Sequence, residues 1–247
     1  MADAIAAQPE SGDGLTGLQL QDDQGVALRG DQDVSLRDEP DVSLRDGRDV
    51  ALREALAAFF SSRALIWVVG VLTVVAVGFF PGDSGSLDPS RLTTPFHVGV
   101  LDALVSPAAR WDSAWYLAIA KTGYVFPSQT VFFPLFPGLM ALGGVVVGNG
   151  LELVLGIFIS CACAIGGLYL MHRLVSLEFD EGLARNAVWI FAWLPTALVL
   201  SAVYSEALFL LLAVGSFYAA RTGRWGLAGL LGGLAAASRN GGILLLV

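Results

Sequence analysis

The chain has 247 residues, of which 55% are hydrophobic and 15% charged, and its mean hydropathy of +0.67 excludes a water-soluble globular domain. Its net charge of −8 comes from the first sixty residues, which hold 13 of the 22 acidic and 5 of the 14 basic side chains; the rest carries nine of each. There is no basic patch of the kind nucleic-acid binding needs, and the acidic start, with its first apolar run near Ala64, does not read as a secretory signal peptide.

Residues 1–60 read as an acidic tail with an eight-residue repeat: Val26-Ala-Leu-Arg29, Val34-Ser-Leu-Arg37, Val42-Ser-Leu-Arg45 and Val50-Ala-Leu-Arg53. An α-helix turns about 100° per residue, so an eight-residue period drifts by about 80° per copy and holds no single apolar stripe. Each unit is too small to bury a core, which points to a disordered cytoplasmic tail or a docking segment. Residues 61–247 form the membrane domain.

Six apolar spans are expected: Ala64–Phe80, Phe132–Gly148, Leu151–Leu174, Ala184–Val203, Ser205–Ala220 and Trp225–Val247. Arg53 and Arg63 precede the first and Pro81-Gly82-Asp83 follows it, which favours a cytoplasmic N-terminus and places residues 81–130 outside. Six full crossings then put Arg221 and Arg224 outside, against the positive-inside tendency, unless Phe132–Gly148 is re-entrant. Cys161 and Cys163, two apart on one helix, point about 160° away from each other and read as packing residues. The chain stops inside the apolar run ending at Val247, as a partial sequence would.

The outer loop is the richest in chemistry. Arg91, His97, Asp102, Arg110, Asp112 and Lys121 interleave with aromatic and aliphatic residues, the pattern of short helices lying on a membrane surface. Within it, Arg110-Trp111-Asp112-Ser113-Ala114-Trp115-Tyr116 sets a carboxylate between tryptophans. Two readings stand: Asp112 as a general base on a hydroxyl with Arg110 near an anionic group, or an interfacial aromatic belt with an incidental Arg–Asp pair. Phe132-Phe133-Pro134-Leu135-Phe136-Pro137-Gly138 reads as a helix start at the interface, where proline is sterically cheap. Pro195 and Ser201-Ala-Val-Tyr204-Ser205-Glu206 read equally as a functional carboxylate at depth or a polar surface turn. Ser238-Arg239-Asn240-Gly241 sets an arginine in a helix of small residues, where a lipid phosphate is a natural partner. His97 and His172 are isolated and no cluster has metal-ligand spacing, so no structural metal is expected, no cofactor is certain, and dependence on a divalent metal stays open.

Taken in order, Arg110-Trp111-Asp112 with Tyr116 and Gly123-Tyr124, then Phe132 to Pro137, Pro195, Tyr204-Ser205-Glu206-Ala207-Leu208-Phe209 and Ser238-Arg239-Asn240-Gly241 resemble the PIG-V family. That family holds the GPI second-mannose transferase and its bacterial relatives, within the GT-C superfamily. The resemblance covers residues 64–247 and implies an all-α polytopic membrane protein, a GT-C-like helix bundle with interfacial helices in its first outer loop.

It further implies an inverting mannosyltransferase in the cell membrane, taking mannose from a polyprenyl- or dolichyl-phosphate donor on the extracytoplasmic face. Asp112 is then the catalytic base. Arg239 is the first choice for the donor phosphate, Arg110 and Lys121 the second, and Asn240, Glu206 and Tyr204 complete the expected donor site. Trp111, Trp115 and Tyr116 shape the sugar site or seat the loop in the interface. The partners are the lipid-linked donor, membrane lipid and an acceptor glycan, glycolipid or protein that the resemblance does not identify. The competing readings are a transporter or flippase-like bundle with Glu206 and Arg239 along its pathway, and a scaffold that recruits a partner through its tail.

Overall fold

A computed structural model describes residues 39–78, 91–148 and 150–246. The first two copies of the repeat fall outside these residues, as do Phe80 and Pro81-Gly82-Asp83. The chain divides into two compact units, Met1–Arg45 and Asp46–Val247. Of the first, the described part is the start of a helix. The second holds every other element.

All regular structure among the described residues is helical. In chain order the helices are α1 (Glu39–Val77), α2 (Gly99–Val105), α3 (Ser113–Thr122), α4 (Leu135–Val147), α5 (Glu152–Glu178), α6 (Glu181–Trp193), α7 (Glu206–Arg221) and α8 (Trp225–Ser238). Short 3₁₀ segments lie at Ser106–Ala108, Pro127–Val131, Pro195–Leu200 and Asn240–Leu246.

α1 begins inside the stretch expected to be tail. Its inner half carries Ala51, Ala55, Ala58, Phe59 and Ser62, all buried. These recur at i, i+4, i+7, i+8 and i+11, one face of a helix. The eight-residue repeat is written in Val and Leu, whereas the stripe that packs is mostly alanine and does not follow that period. Small residues bury little area but admit close approach.

Among the described residues, two helices are long and apolar enough to cross a membrane: residues 47–77 of α1, and α5. α4 and α6 have 13 residues each, about 20 Å of helix, against about 30 Å of hydrocarbon. α7 has 16 residues and α8 has 14. The span expected at 184–203 is broken, because Pro195 ends α6 and the chain continues as a 3₁₀ turn. Helix length therefore does not reproduce six uniform crossings, and the short α4 has the dimensions of the re-entrant alternative.

α5 and α7 form the central seam, with α8 against α7 and α6 against α5. On α5 the face Gly156, Ser160, Cys163, Ala164, Gly167 and Leu168 is buried, and small residues there let the backbones come close. A Cβ on Gly167 would lie 2.9 Å from Leu210 Cγ, and one on Gly156 2.9 Å from Val203 Cγ1. Both cysteines are free.

Cross-helix polar contacts fix which ends lie together. Glu54 of α1 meets Arg185 at 3.3 Å and accepts from Trp189 Nε1 at 2.6 Å, both on α6. Glu178, ending α5, pairs with Arg221, ending α7. Arg221 therefore sits at the same end as Glu54 and the N-terminal part of α1. If α4 does not cross, α5, α6 and α7 run down, up and down, and the conflict with the positive-inside tendency disappears.

Arg63 is not the membrane-flanking charge it resembles in the sequence. It is 6% exposed, and its guanidinium donates to the carbonyls of Ala192, at 2.8 Å, and Ala197. Those carbonyls bracket the break at Pro195, where helical partners are lost, so Arg63 caps the break. The cytoplasmic N-terminus expected from flanking arginines thus loses one of its two supports.

Candidate active site

The site end of the bundle is the opposite one, where α5 and α7 begin and α6 and α8 end. The loop from α2 reaches it through the 3₁₀ turn Ser106–Ala108 and then reverses at Trp111, whose φ of 48° is left-handed. A bulky residue pays a steric cost there, of about 1–3 kcal/mol, that surrounding contacts must offset. Tyr204 supplies them. Its hydroxyl donates to Arg110 O at 3.1 Å and accepts from Asp112 N at 3.1 Å, clamping both sides of Trp111. Val203 N donates to Ala108 O at 2.9 Å, and Ser113 Oγ to the same carbonyl at 3.2 Å.

Asp112 precedes α3 directly and is solvent-exposed, while the next residue, Ser113, is buried. Four residues on, Tyr116 is buried with its hydroxyl 2.9 Å from Ser205 Oγ. Its ring stands edge-on to Phe132 and Phe136, at 5.1 and 5.3 Å, and 6.2 Å from Tyr204. Trp115 stacks on Phe132 at 6.1 Å. Pro134 is the N-cap of α4 and Pro137 lies in its first turn, so the helix start read from Phe132 to Pro137 is present and delivers two aromatic walls.

Glu206 begins α7 and pairs with Arg239, the C-cap of α8. Its Oε2 is buried and has no hydrogen-bond partner among the described residues. The charges of Asp112, Glu206 and Arg239 all act electrostatically on the Tyr116 hydroxyl.

Burial raises the Tyr116 pKa, the Glu206 and Asp112 charges add to that, and the Ser205 hydrogen bond and Arg239 oppose it. Tyr204 is pushed up to about 12, chiefly by burial. Both are neutral phenols at neutral pH. Burial lowers the Arg110 pKa, but from so high a value that it stays charged.

The structure thus gathers Arg110, Asp112, Tyr116, Tyr204, Glu206 and Arg239, expected from three separated motifs. Trp115 joins them through Phe132. Trp111 is 67% exposed and turns outward, which suits the interface-seating alternative. Asn240 is exposed at the start of the last 3₁₀ segment. Lys121 lies on another face of α3. Tyr204 is occupied in holding the loop. Ser205 and Phe132 also contribute to the site: both stand in motifs that the sequence singles out, but neither is given a role of its own there. Among the described residues no three metal-type ligands converge.

These features define a helical membrane protein whose first loop carries a carboxylate clamped against the bundle beside a half-buried Arg–Glu pair. The chain matches the family described as Mannosyltransferase (PIG-V) over residues 52–246, and it belongs to that family. It is 29% identical to GPI alpha-1,6-mannosyltransferase 2 of Rattus norvegicus over 205 residues, 77% of this chain and 40% of the relative. The corresponding protein of Cricetulus griseus is 28% identical over the same shares. GPI mannosyltransferase pigv-1 of Caenorhabditis elegans is 29% identical over 122 residues, 44% of this chain and 18% of the relative. The chain therefore spans about two fifths, or less, of these relatives. No solved structure matches it.

Proposed function

We propose that the chain carries the catalytic loop of a membrane mannosyltransferase that moves mannose from a polyprenyl- or dolichyl-phosphate carrier to an acceptor hydroxyl, with inversion, on the extracytoplasmic face. One observation carries this reading. The Tyr204 hydroxyl fastens both sides of Trp111 and so presents Asp112 beside the Tyr116, Glu206 and Arg239 cluster.

In a single displacement, the acceptor oxygen bonds to the anomeric carbon as Asp112 takes its proton. The bond from that carbon to the carrier phosphate breaks, and the phosphate keeps the electron pair. One carboxylate base and one cation for the leaving phosphate meet these needs. Arg239 is the cation for the phosphate, held in readiness by Glu206, and the free Oε2 of Glu206 suits a sugar hydroxyl, which would supply its missing donor. The neutral phenols of Tyr116 and Tyr204 add no charge that would repel a phosphate.

The test is transfer from radiolabelled polyprenyl-phosphate mannose in membranes containing the protein. Asp112→Asn is expected to lower transfer by about 10²- to 10⁴-fold, the range for a general base, with the protein still present in the membrane. Undiminished transfer by that variant overturns the assignment.

A further inference from the structure

The break between α6 and α7 leaves residues 194–205 outside any α-helix, and their last part lies inside the bundle: Ser201, Ala202, Val203, Tyr204 and Ser205 are all buried. Irregular backbone is tolerated there only where other parts of the protein supply its hydrogen-bond partners. They come from three sides. Ser160 of α5 donates to Tyr204 O at 3.4 Å, and Ala108 O of the first loop accepts from Val203 N at 2.9 Å. From α1, the Arg63 guanidinium donates to Ala192 O and Ala197 O, one on each side of Pro195, and its Nη1 lies 3.4 Å from Ser201 Oγ. Three residues beyond Ser201, Tyr204 closes the turn that carries Asp112. The path from Arg63 to that turn is buried throughout.

The cation is costly where it stands. Arg63 lies near the middle of residues 47–77, the part of α1 able to cross a membrane. Among the described residues no carboxylate pairs with it, and its Nε is buried without a hydrogen-bond partner. The Phe59 ring, 5.7 Å from the guanidinium carbon, adds only a modest attraction. A neutral donor would satisfy a carbonyl with less desolvation, yet the neighbouring Ser62 turns its hydroxyl back to Ala58 O and Phe59 O of α1. What a guanidinium adds is a rigid planar fork, which ties the two sides of the break together as one body. A charge at this depth marks function by default, and its contacts here lead to the site. α7 is seated separately, on α5 and α8, so Glu206 and Arg239 do not depend on Arg63.

Resting on the reading of the Asp112 loop as a transferase site, we propose that Arg63 is a positioning residue for mannosyl transfer: through Ala192, Ala197 and Ser201 it sets where Tyr204 stands, and thereby where Asp112 is presented.

The experiment measures transfer from radiolabelled polyprenyl-phosphate mannose in membranes containing the full chain, for Arg63→Met, Tyr204→Phe and the two combined. Arg63→Met is expected to lower kcat by about tenfold or more and to leave the donor KM within about twofold, because a displaced base slows the chemistry while Arg239 still holds the phosphate. The double variant is expected to be no slower than the slower single one, since both changes act on one turn. Gly167→Leu, which disturbs packing elsewhere, multiplies with Tyr204→Phe instead. Arg63→Lys keeps a cation with three donors and is expected to recover part of the lost rate. In the purified chain in detergent, the Asp112 amide is expected to exchange hydrogen about tenfold faster in Arg63→Met and at the parent rate in Arg239→Gln.

Losses that multiply in the double variant overturn the proposal, as does a raised donor KM with kcat kept, or an Asp112 amide that exchanges no faster in Arg63→Met. If Arg63→Met does not reach the membrane, Arg63→Lys carries the same comparison: its loss must vanish in the Tyr204→Phe background, and independent losses overturn the proposal. If the Asp112 amide loses protection in Arg63→Met while Asp112→Asn transfers mannose undiminished, the transferase reading falls and the positioning of the loop by Arg63 stands.

Discussion

At the end of the bundle that carries the N-terminal part of α1, charged side chains are matched across helices: Glu54 with Arg185 and Trp189, Glu178 with Arg221. At the other end, Glu206 keeps one buried oxygen without a partner among the described residues, and Trp111 holds a left-handed turn. Asp112 there stands exposed above a buried phenol. The pairs at the first end hold the helices in register, although His172 Nδ1 and Nε2 and Arg173 Nε are buried there without a hydrogen-bond partner among the described residues. What sets the second end apart is the combination of an unpartnered carboxylate oxygen with strained backbone at Trp111, and such strain persists only where surrounding contacts over-determine it and clusters at working sites. The difference teaches where to look for chemistry when both ends carry the same kinds of residue.

That contrast can be broken experimentally, starting where the effect is largest after Asp112 itself. Arg239→Gln is expected to lower mannosyl transfer by about 10²-fold, since one cation aimed at developing charge is worth that order; transfer kinetics in membranes measure it, and an unchanged rate removes Arg239 from the site. Gly167→Leu drives a branched side chain into Leu210 and is expected to cost about 1–3 kcal/mol or more, read as a lower unfolding temperature in detergent. Tyr204→Phe releases both hydrogen bonds to the Arg110–Asp112 turn and is expected to cost about 1–2 kcal/mol, with a fall in transfer that exceeds the fall in stability.

Tyr204 also has a pH signature. Its folded pKa of about 12 lies above the ordinary value of about 10 for a free tyrosine. Stability is therefore whole below about pH 10 and declines as pH rises toward 12, because the unfolded phenol ionises first. The same titration of Tyr204→Phe is expected to show a shallower decline. Smallest of all, Arg221→Ala breaks a pair whose arginine side chain is 62% exposed and is expected to change stability by under about 1 kcal/mol. A larger loss would mean that the paired end does more than hold register.

Much of the site is legible without a fold. The acid between tryptophans, the Pro-flanked aromatics, the Tyr-Ser-Glu turn and the late arginine each stand out as polar or rigid residues in apolar surroundings. Their mutual distances are not legible, because Asp112 and Tyr204 are 92 positions apart and nothing in either segment states that a phenol closes the turn. Arg63 misleads for a related reason: a flanking arginine and a carbonyl-capping arginine have the same sequence context, and only the broken helix opposite tells them apart. The stripe of α1 is hidden by the repeat, since alanine carries little hydrophobic signal.

Sequence by itself determined that the chain is an apolar helical protein with a charged tail and one chemically loaded loop, because composition and local periodicity are properties of neighbouring residues. Tertiary structure decided which ends share a side, that Lys121 lies on another face of α3, and that Tyr204 positions the loop. Those outcomes depend on packing between segments far apart in the chain, where a few close approaches at Gly156 and Gly167 set the geometry of everything built on them.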